Sequence, residues 1–450
     1  MDESNPKDSG SERFEEVMGR TKFFYGWVIV GVSFLTIAAT YATRYSFTLF
    51  YVAMLQDLGW SRASLAGAFS LAMLIYGIFS PFIGGLMDRF GPRRLFPIAA
   101  LVLALGMGAS GYIQSPWHLY LTYGVLATLG LNGLGAVPHA PIISNWFILK
   151  RGLASGIIMV GFGAGIVISP LIEGMISSLG WRGAFPILGL IVAGILIPLT
   201  AIFQRLHPKE KGFSPDGLEE ADLERLRRAY GTREDVSSVD PVWTSQDWTI
   251  PKAIRTVRFW GLTVADLFFG FFMATILVHQ APFIVDAGFS RKFAATILAI
   301  TGLFNAGGNL FWGTLSDRIG REWAYTLACG CAFVSILLLF MVKGTSNPWV
   351  LYGHGILFGL GYAMASLWQG IAGDIFQGKQ YGAIFGLMTI GFGVGNFLGP
   401  WLAGYFFDTQ GRYDNAFLLC LVAIVLNSFF IWVAGPRQVR LVGRKVLKPA

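Results

Sequence analysis

The sequence holds few charged residues for its length. Asp, Glu, Lys and Arg make up 13% of its 450 residues, whereas about 25% is usual in soluble domains. Hydrophobic residues reach 54%, and a water-soluble core could not bury so much apolar surface. Apolar stretches of about 20 residues, the length that crosses a bilayer as a helix, recur roughly twelve times. The composition excludes a soluble globular protein and predicts an all-α membrane protein surrounded by the lipid bilayer.

Cysteines are also scarce, and all three lie inside apolar stretches, at Cys329, Cys331 and Cys420. Buried free thiols behave as small hydrophobic side chains, so neither a disulfide framework nor a metal site is expected. The sequence also lacks a phosphate-binding glycine loop after a strand and a nucleophile–base arrangement. We therefore expect a protein that is not an enzyme, that uses no cofactor and that does not draw on ATP.

Positive charge is concentrated in alternate loops. The net charge of +8 would suit nucleic acid, but arginines and lysines cluster between every second pair of apolar stretches, as at Arg93 and Arg94 and at Lys150 and Arg151. By the positive-inside rule, this pattern predicts an inner-membrane protein with both termini cytoplasmic and no nucleic-acid partner. The polar, acidic N-terminus is not a signal peptide, so the first apolar stretch is expected to be an uncleaved anchor.

Twelve helices in two sets of six are predicted. The first set is expected near residues 24–52, 63–87, 94–113, 118–146, 152–178 and 183–204. The second set is expected near residues 258–284, 293–316, 323–343, 349–376, 381–407 and 414–435. The predicted domains are a cytoplasmic tail (1–21), a six-helix bundle (22–204), a cytoplasmic linker (205–256) with a short amphipathic helix at 219–228, a second bundle (257–436) and a basic tail (437–450).

An internal repeat relates the two sets of helices. The sequence DLGWSR at 57–62 recurs as DAGFSR at 286–291, and the motif G-x-L-x-D-R-x-G at 84–91 recurs at 313–320, both at an offset of 229 residues. GFGAG at 161–165 recurs as GFGVG at an offset of 230 residues. A duplicated unit of this kind predicts two pseudo-symmetric bundles, with the substrate between them near the middle of the membrane.

The repeated loop motif resembles the signature of the major facilitator superfamily. The loop reads GGLMDRFGPRR at 84–94 and GTLSDRIGRE at 313–322. The resemblance implies a secondary transporter that alternates access to a central site. The acidic and basic side chains of these loops can form a charge network that closes the cytoplasmic face. The gate residues expected there are Asp88, Arg89, Arg93, Asp317, Arg318 and Arg321.

A narrower resemblance lies at the predicted fifth helix. The segment WFILKRGLASG at 146–156, followed by Gly161, resembles the motif that monocarboxylate transporters carry there, and FYGW at 24–27 resembles a reduced form of their entry motif. The chain looks like the bacterial monocarboxylate and oxalate/formate branch, which implies a small organic anion moved with a proton or exchanged for another anion. It departs from the animal members in the eighth helix, where Asn305 and Asn309 replace an Asp and an Arg.

Polar side chains inside the predicted helices are candidates for substrate binding. Thr36, Thr40, Arg44 and Thr48 recur at every fourth residue and so form one stripe on the first helix. Such a stripe is costly against lipid, and a guanidinium can bind a carboxylate through two N–H groups, so Arg44 is the predicted anion contact. The alternative is that Arg44 reaches to the outer interface. The expected substrate-binding residues are Thr40, Tyr41, Arg44, Asn305, Asn309 and Tyr362.

Ionisable groups within the helices are candidates for proton coupling, because coupling needs a charge that can be switched. Asp266 and Glu173 are the membrane carboxylates. Burial away from water favours the protonated, uncharged form of a carboxyl group, so either of them could change its charge near neutral pH. His279 is a third candidate. The structural alternatives are an ion pair between Asp266 and loop arginines, and an outer-gate hydrogen bond for His279.

The sequence predicts a monomeric secondary active transporter of a small, monocarboxylate-like organic anion, acting as a proton symporter. An exchanger of the oxalate/formate type, with a counter-anion as its second substrate, is one alternative. Proton-driven efflux of an amphipathic compound is another, because the glycines between Gly156 and Gly174 match the spacing in proton:drug antiporters. Close helix packing also explains glycines at this spacing, and both halves carry them.

Overall fold

The computed structural model describes residues 24–147, 150–217, 239–376 and 380–439. Within these ranges the secondary structure is helical and no β-strand occurs, which confirms the all-α prediction. The predicted amphipathic helix at 219–228 and the tail 1–21 lie outside the described residues, as do residues 440–450 of the basic tail.

Each crossing is long enough for a hydrocarbon core of about 30 Å, because an α-helix rises about 1.5 Å per residue. The crossings are α1 (Gly26–Leu58), α2 (Arg62–Phe90), α3 (Pro92–Ser110), α4 (Pro116–Trp146), α5 (151–179), α6 (181–203), α7 (Val257–Asp286), α8 (Arg291–Ile319), α9 (Arg321–Phe340), α10 (Trp349–Ile375), α11 (Tyr381–Gln410) and α12 (Asp414–Ala434). We call the membrane face where residues 205–256 join α6 to α7 the linker face, and the opposite face the far face.

Gly180 separates α5 from α6. Residues Leu153–Phe203 form one apolar helical stretch of 51 residues, which is far longer than a single crossing needs. Gly180 has φ +68° and ψ 162°, a conformation that glycine adopts without the steric cost a side chain would bring. The eleven apolar stretches of the described chain therefore make twelve crossings, as predicted.

Several crossings are interrupted near their middle. α1 breaks at Ser46 and α11 breaks at Thr389. α4 breaks at 134–135 and α10 breaks at 363–364, which are equivalent positions in the 229-residue repeat. Interrupted helices leave backbone groups free near the membrane centre, where transporters of repeated topology bind their substrates.

The two sets of six helices meet where α2 crosses α11. A Cβ atom on Gly77 would lie 4.0 Å from the Cα atom of Gly393. Toward the far face the helices are tighter, since a Cβ atom on Gly404 would lie 2.7 Å from the Cα atom of Ala63. Gly84 lies on the same side of α2 as Gly77, two helical turns closer to the linker face. A Cβ atom on Gly84 would have no neighbouring atom within 4 Å.

The crossing of α5 and α8 has the same geometry. A Cβ atom on Gly163 would lie 2.4 Å from the carbonyl oxygen of Gly302. Toward the linker face, a Cβ atom on Gly156 of α5 or Gly313 of α8 would meet nothing within 4 Å. Both pairs of helices therefore diverge toward the linker face, so the molecule is closed at the far face and open at the linker face.

Candidate functional site

Arg44 lies in the last turn of the first segment of α1, directly before the break at Ser46. Only 5% of its surface is exposed. The guanidinium carbon lies 4.3 Å from the ring centroid of Tyr76 and 5.7 Å from that of Tyr41, and Nη2 contacts Met73 Sδ at 3.0 Å. Its Nε has no hydrogen-bond partner, and no carboxylate of the described chain lies within ion-pair distance. The cation is held by aromatic faces and lacks a counter-ion.

Local structure explains how a buried cation is tolerated here. Arg44 lies at the C-terminal end of a helical segment, where the free carbonyl groups carry partial negative charge. Its own carbonyl oxygen accepts a hydrogen bond of 3.1 Å from the Tyr123 hydroxyl of α4, which fixes the backbone at the break. Electron-rich ring faces of the neighbouring tyrosines add cation–π attraction. These contacts orient the guanidinium without neutralising its charge.

Tyr362 brings the second set of helices to the site. Its hydroxyl lies 2.9 Å from the hydroxyl of Tyr45, which is in the same turn of α1 as Arg44. Tyr41 stacks on Phe162 of α5 with ring centroids 4.0 Å apart. Three of the predicted binding residues, Tyr41, Arg44 and Tyr362, are thus placed around one point between the two sets of helices.

The threonine stripe of α1 is buried, as its spacing predicts, but its hydroxyl groups have partners within the protein. Thr36 donates to the carbonyl oxygen of Val32 at 2.8 Å, and Thr40 donates to that of Thr36 at 2.7 Å. Thr48 donates to Val278 of α7 at 2.9 Å. Thr40 therefore has its acceptor lone pairs, rather than its proton, to offer a substrate, and Thr48 joins the two sets of helices.

Asn305 and Asn309 of α8 interact with each other. The Nδ2 atom of Asn309 donates to Oδ1 of Asn305 at 3.3 Å, and Asn305 is buried. The neighbouring Ser366 of α10 donates to the carbonyl oxygen of Asn309 at 3.4 Å. The described contacts place these amides at the α8–α10 interface of the second set and do not connect them to Arg44.

Asp266 of α7 is 3% exposed, and its Oδ2 atom has no hydrogen-bond partner. Its carboxyl group lies against the backbone N–H of Phe392, in the first turn of the α11 segment that begins at Ile390. The first N–H groups of a helix lack intrahelical acceptors and attract negative charge. This carboxyl group is placed beside a helix break and away from the loop arginines.

Glu173 and His279 lie toward the far face. Glu173 is 1% exposed in its side chain and pairs with Arg291 of α8 at 3.3 Å, while Ser177 donates to it at 2.9 Å. His279 contacts the Tyr413 hydroxyl at 3.1 Å and the Pro400 carbonyl oxygen at 2.8 Å. Glu173 thus joins α5 to α8, and both ring nitrogens of His279 already have partners within the second set.

A charge network at the far face was not predicted from the sequence. Arg62, at the start of α2, pairs with Asp286 of α7 at 2.7 Å and contacts the Tyr413 hydroxyl at 2.5 Å. Asp408 of α11 accepts hydrogen bonds of 2.8 Å from the backbone N–H groups of Arg62 and Ala63. A carboxylate of one set therefore caps a helix of the other. We call Arg62, Asp286, Asp408 and Tyr413 the far-face network.

The repeat contained a signal for these contacts. Arg62 and Arg291 occupy equivalent positions in the DLGWSR and DAGFSR segments, 229 residues apart. In the structure, each arginine starts the second helix of its set and reaches a carboxylate of the other set, Arg62 to Asp286 and Arg291 to Glu173. Pseudo-symmetric arginines therefore hold both interfaces closed.

The predicted gate residues lie at the linker face, and those with partners contact their own set of helices. Arg321 pairs with Asp317 and Asp374, each at 3.2 Å. Arg93 donates to the carbonyl oxygen of Ala201 at 3.0 Å. The remaining predicted gate residues are exposed, and they are Asp88, Arg89 and Arg318.

The family model of the Major Facilitator Superfamily matches residues 33–367 and 346–448 of this chain. The chain belongs to the Major Facilitator Superfamily. Monocarboxylate transporter 12 of Rattus norvegicus is 25% identical to it over 427 residues, which cover 91% of this chain and 85% of the relative. The oxalate:formate antiporter of Oxalobacter formigenes is 27% identical over 429 residues, which cover 94% and 93%.

Solved structures of the superfamily share the fold. A D-xylose-proton symporter superposes with a TM-score of 0.68 at 15% identity, covering 91% of this chain and 97% of the other. A bacterial homologue of the human lysosomal transporter Spinster superposes with a TM-score of 0.61 at 17% identity, covering 93% and 97%. Membership in the superfamily identifies a transporter and not an enzyme, and the family resemblance seen in the sequence is confirmed.

Removal of the Asp408 carboxylate from this superfamily member should open the far face. Asp408→Asn weakens two charge-assisted hydrogen bonds at an exposed site, so we expect a shift of roughly tenfold in the conformational equilibrium. Spin labels at Gln56 and Gln410, which are exposed on the far face of the two sets, would report a longer distance. Asp414→Asn is the control, because Asp414 pairs with Arg412 in its own set. Equal distances in both variants would contradict a role for Asp408 in closure.

Proposed function

We propose that the protein carries a small organic monoanion across the inner membrane by alternating access, with Arg44 as the anion contact. The supporting observation is the buried guanidinium, which lies where the two sets of helices meet and pairs with no carboxylate among the described residues. A buried cation with a free N–H group gains most from a ligand that brings negative charge and acceptor oxygens. Tyr41 and Tyr362 border the same point, Thr40 lies one turn before Arg44 on α1, and Asn305 and Asn309 lie along α8.

The number of cations favours a monoanion. Among the membrane helices, Arg44 is the one Lys or Arg that lies away from the helix ends in the sequence. A dicarboxylate would bring two negative charges and find one cation, which leaves an unpaired charge in a low-dielectric site. Exchange of the kind named for the oxalate:formate antiporter is the second candidate, supported by the 27% identity to that relative.

We assign proton coupling to Asp266, because its buried carboxyl group forms no salt bridge with the described residues and so can take up a proton without losing one. Glu173 and His279 are already occupied by Arg291 and by Tyr413 and Pro400, so they suit closure of the far face better than titration. A proton on Asp266 would neutralise the charge beside the N-terminus of the second α11 segment. Protonation of Asp266 would therefore change the electrostatic attraction that acts on α11 at its bend.

The loop charges support an orientation. Arginines and lysines are concentrated on the linker face, as the positive-inside rule requires of a cytoplasmic face. With this orientation both termini would be cytoplasmic, and a molecule open at the linker face would be in its inward-open state. The charged loops at 84–94 and 313–322 would close this face in the opposite state, in which the gate residues of the two sets approach each other.

Uptake by proteoliposomes tests the proposal. We expect a labelled monocarboxylate to accumulate when an inward proton gradient is applied, and Asp266→Asn to abolish accumulation against a gradient while counterflow of the same acid continues. Asp414→Asn is the control for loss of one carboxylate, because Asp414 pairs with Arg412 within the second set, and it should keep gradient-driven accumulation. Uptake that needs preloaded anion and ignores the proton gradient would favour the exchanger. No uptake of any anion would contradict the proposal.

A further inference from the structure

Two pairs of stacked aromatic rings, one in each set of helices, lie close to the anion contact. Tyr41 stacks on Phe162 of α5 at 4.0 Å, and on the other side Phe269 of α7 stacks on Phe392 of α11 at 5.7 Å. Phe162 and Phe392 are equivalent positions of the repeat, 230 residues apart, and both are only partly buried. Each set of helices therefore presents one half-exposed phenylalanine backed by another ring.

These rings are continuous with the anion contact. Tyr45 of α1 meets Tyr362 through a hydroxyl–hydroxyl contact of 2.9 Å, and Tyr362 stacks on Phe269 with centroids 6.4 Å apart. Arg44 lies over Tyr41, which is the inner partner of Phe162. The six side chains that we call the aromatic wall are Tyr41, Tyr45, Phe162, Phe269, Tyr362 and Phe392.

We infer that the substrate is an aromatic monocarboxylate, whose carboxylate binds Arg44 and whose ring packs between Phe162 and Phe392. This inference rests on the proposed function and names its substrate class. Acetate or lactate would satisfy Arg44 but would leave the two phenylalanine faces against water. A planar ring would cover both faces and gain edge or stacked contacts with them. The single cation and the apolar walls together match one carboxylate attached to one ring.

The test is equilibrium binding of labelled phenylacetate to the full-length protein in nanodiscs, with acetate, lactate and phenylacetamide as competitors. Burial of one ring against two aromatic faces predicts that phenylacetate binds roughly 30-fold more tightly than acetate. Phenylacetamide, which has the ring but no charge, should compete poorly. Phe162→Ala and Phe392→Ala should each weaken phenylacetate binding roughly tenfold and change acetate binding less than about threefold.

Phe430→Ala is the control for loss of a ring, because Phe430 of α12 stacks on Phe268 within the second set. It should bind phenylacetate as the unchanged protein does. Acetate or lactate binding as tightly as phenylacetate would overturn the aromatic class while leaving the proposed anion transport intact. Failure of every carboxylate to bind would overturn both. Tight phenylacetate binding that survives both phenylalanine replacements would show that the ring lies elsewhere, which also overturns the inference.

Discussion

Replacement of Arg44 by glutamine should lower anion uptake roughly 100-fold or more, because two charge-assisted hydrogen bonds to the substrate are lost. Glutamine keeps much of the side-chain length and can still contact Met73 and the tyrosine rings, so the helix break at Ser46 should persist. Uptake of the labelled monocarboxylate into proteoliposomes is the measurement. The midpoint temperature of thermal unfolding in detergent should change little, since Arg44 forms no ion pair with the described part of the chain.

A lysine at position 44 and a control arginine elsewhere separate the role of the guanidinium from that of positive charge alone. Arg44→Lys keeps the positive charge but offers a compact ammonium that cannot bind a carboxylate through a planar fork, so we expect partial uptake with a raised KM. Arg412→Gln is the control for loss of one arginine, because Arg412 is exposed at the far face and pairs with Asp414 of its own set. Full uptake by Arg44→Gln would show that the guanidinium is structural and would move the anion site elsewhere.

Much of the architecture can be predicted from local sequence properties. Apolar length predicts the crossings, and the 229-residue repeat predicts the two sets. The four-residue spacing places Arg44 and the threonines on one buried face of α1. Such features depend on residues close together in the chain, so a single sequence contains them.

Features that depend on distant residues could not be predicted in the same way. The contact of Asp408 with the first N–H groups of α2 joins residues 346 positions apart, and no local pattern indicates it. The same holds for the ion pair between Glu173 and Arg291, which joins the two sets of helices. Thr40 is a different case, because its hydroxyl donates to the carbonyl oxygen of Thr36 in the preceding turn of the same helix.

The two interfaces between the sets act together in closure. Each contains a glycine crossing near the membrane centre and an arginine–carboxylate contact nearer the far face. The contact between Arg62 and Asp286 is partly exposed and individually weak, whereas the glycine contacts involve backbone atoms, which cannot turn away as a side chain can. The close approach of the backbones at the glycines therefore limits how tightly the far face can close. The arginine–carboxylate contacts adjust the equilibrium between the closed and open far face.

Replacement of Gly163 by valine should hold the far face open. A Cβ atom at this position would lie 2.4 Å from the carbonyl oxygen of Gly302 and 2.7 Å from the Cβ atom of Ala306, so α5 and α8 would have to separate. Overpacking of this kind costs about 1–3 kcal/mol, which corresponds to a shift of roughly 10- to 100-fold away from the closed far face. Uptake should fall by a similar factor, because the transport cycle requires this closure.

The readout is the distance between spin labels at Gln56 and Gln410, measured together with uptake. Gly163→Val should lengthen that distance in the absence of substrate. Gly194→Val of α6 is the matched control, since a Cβ atom there would meet nothing within 4 Å, and it should leave both measurements unchanged. Each set of helices keeps its own packing when α5 moves away from α8, so we expect Gly163→Val to remain folded. A short label distance with full uptake in this variant would show that α5 and α8 can close without the glycine contact.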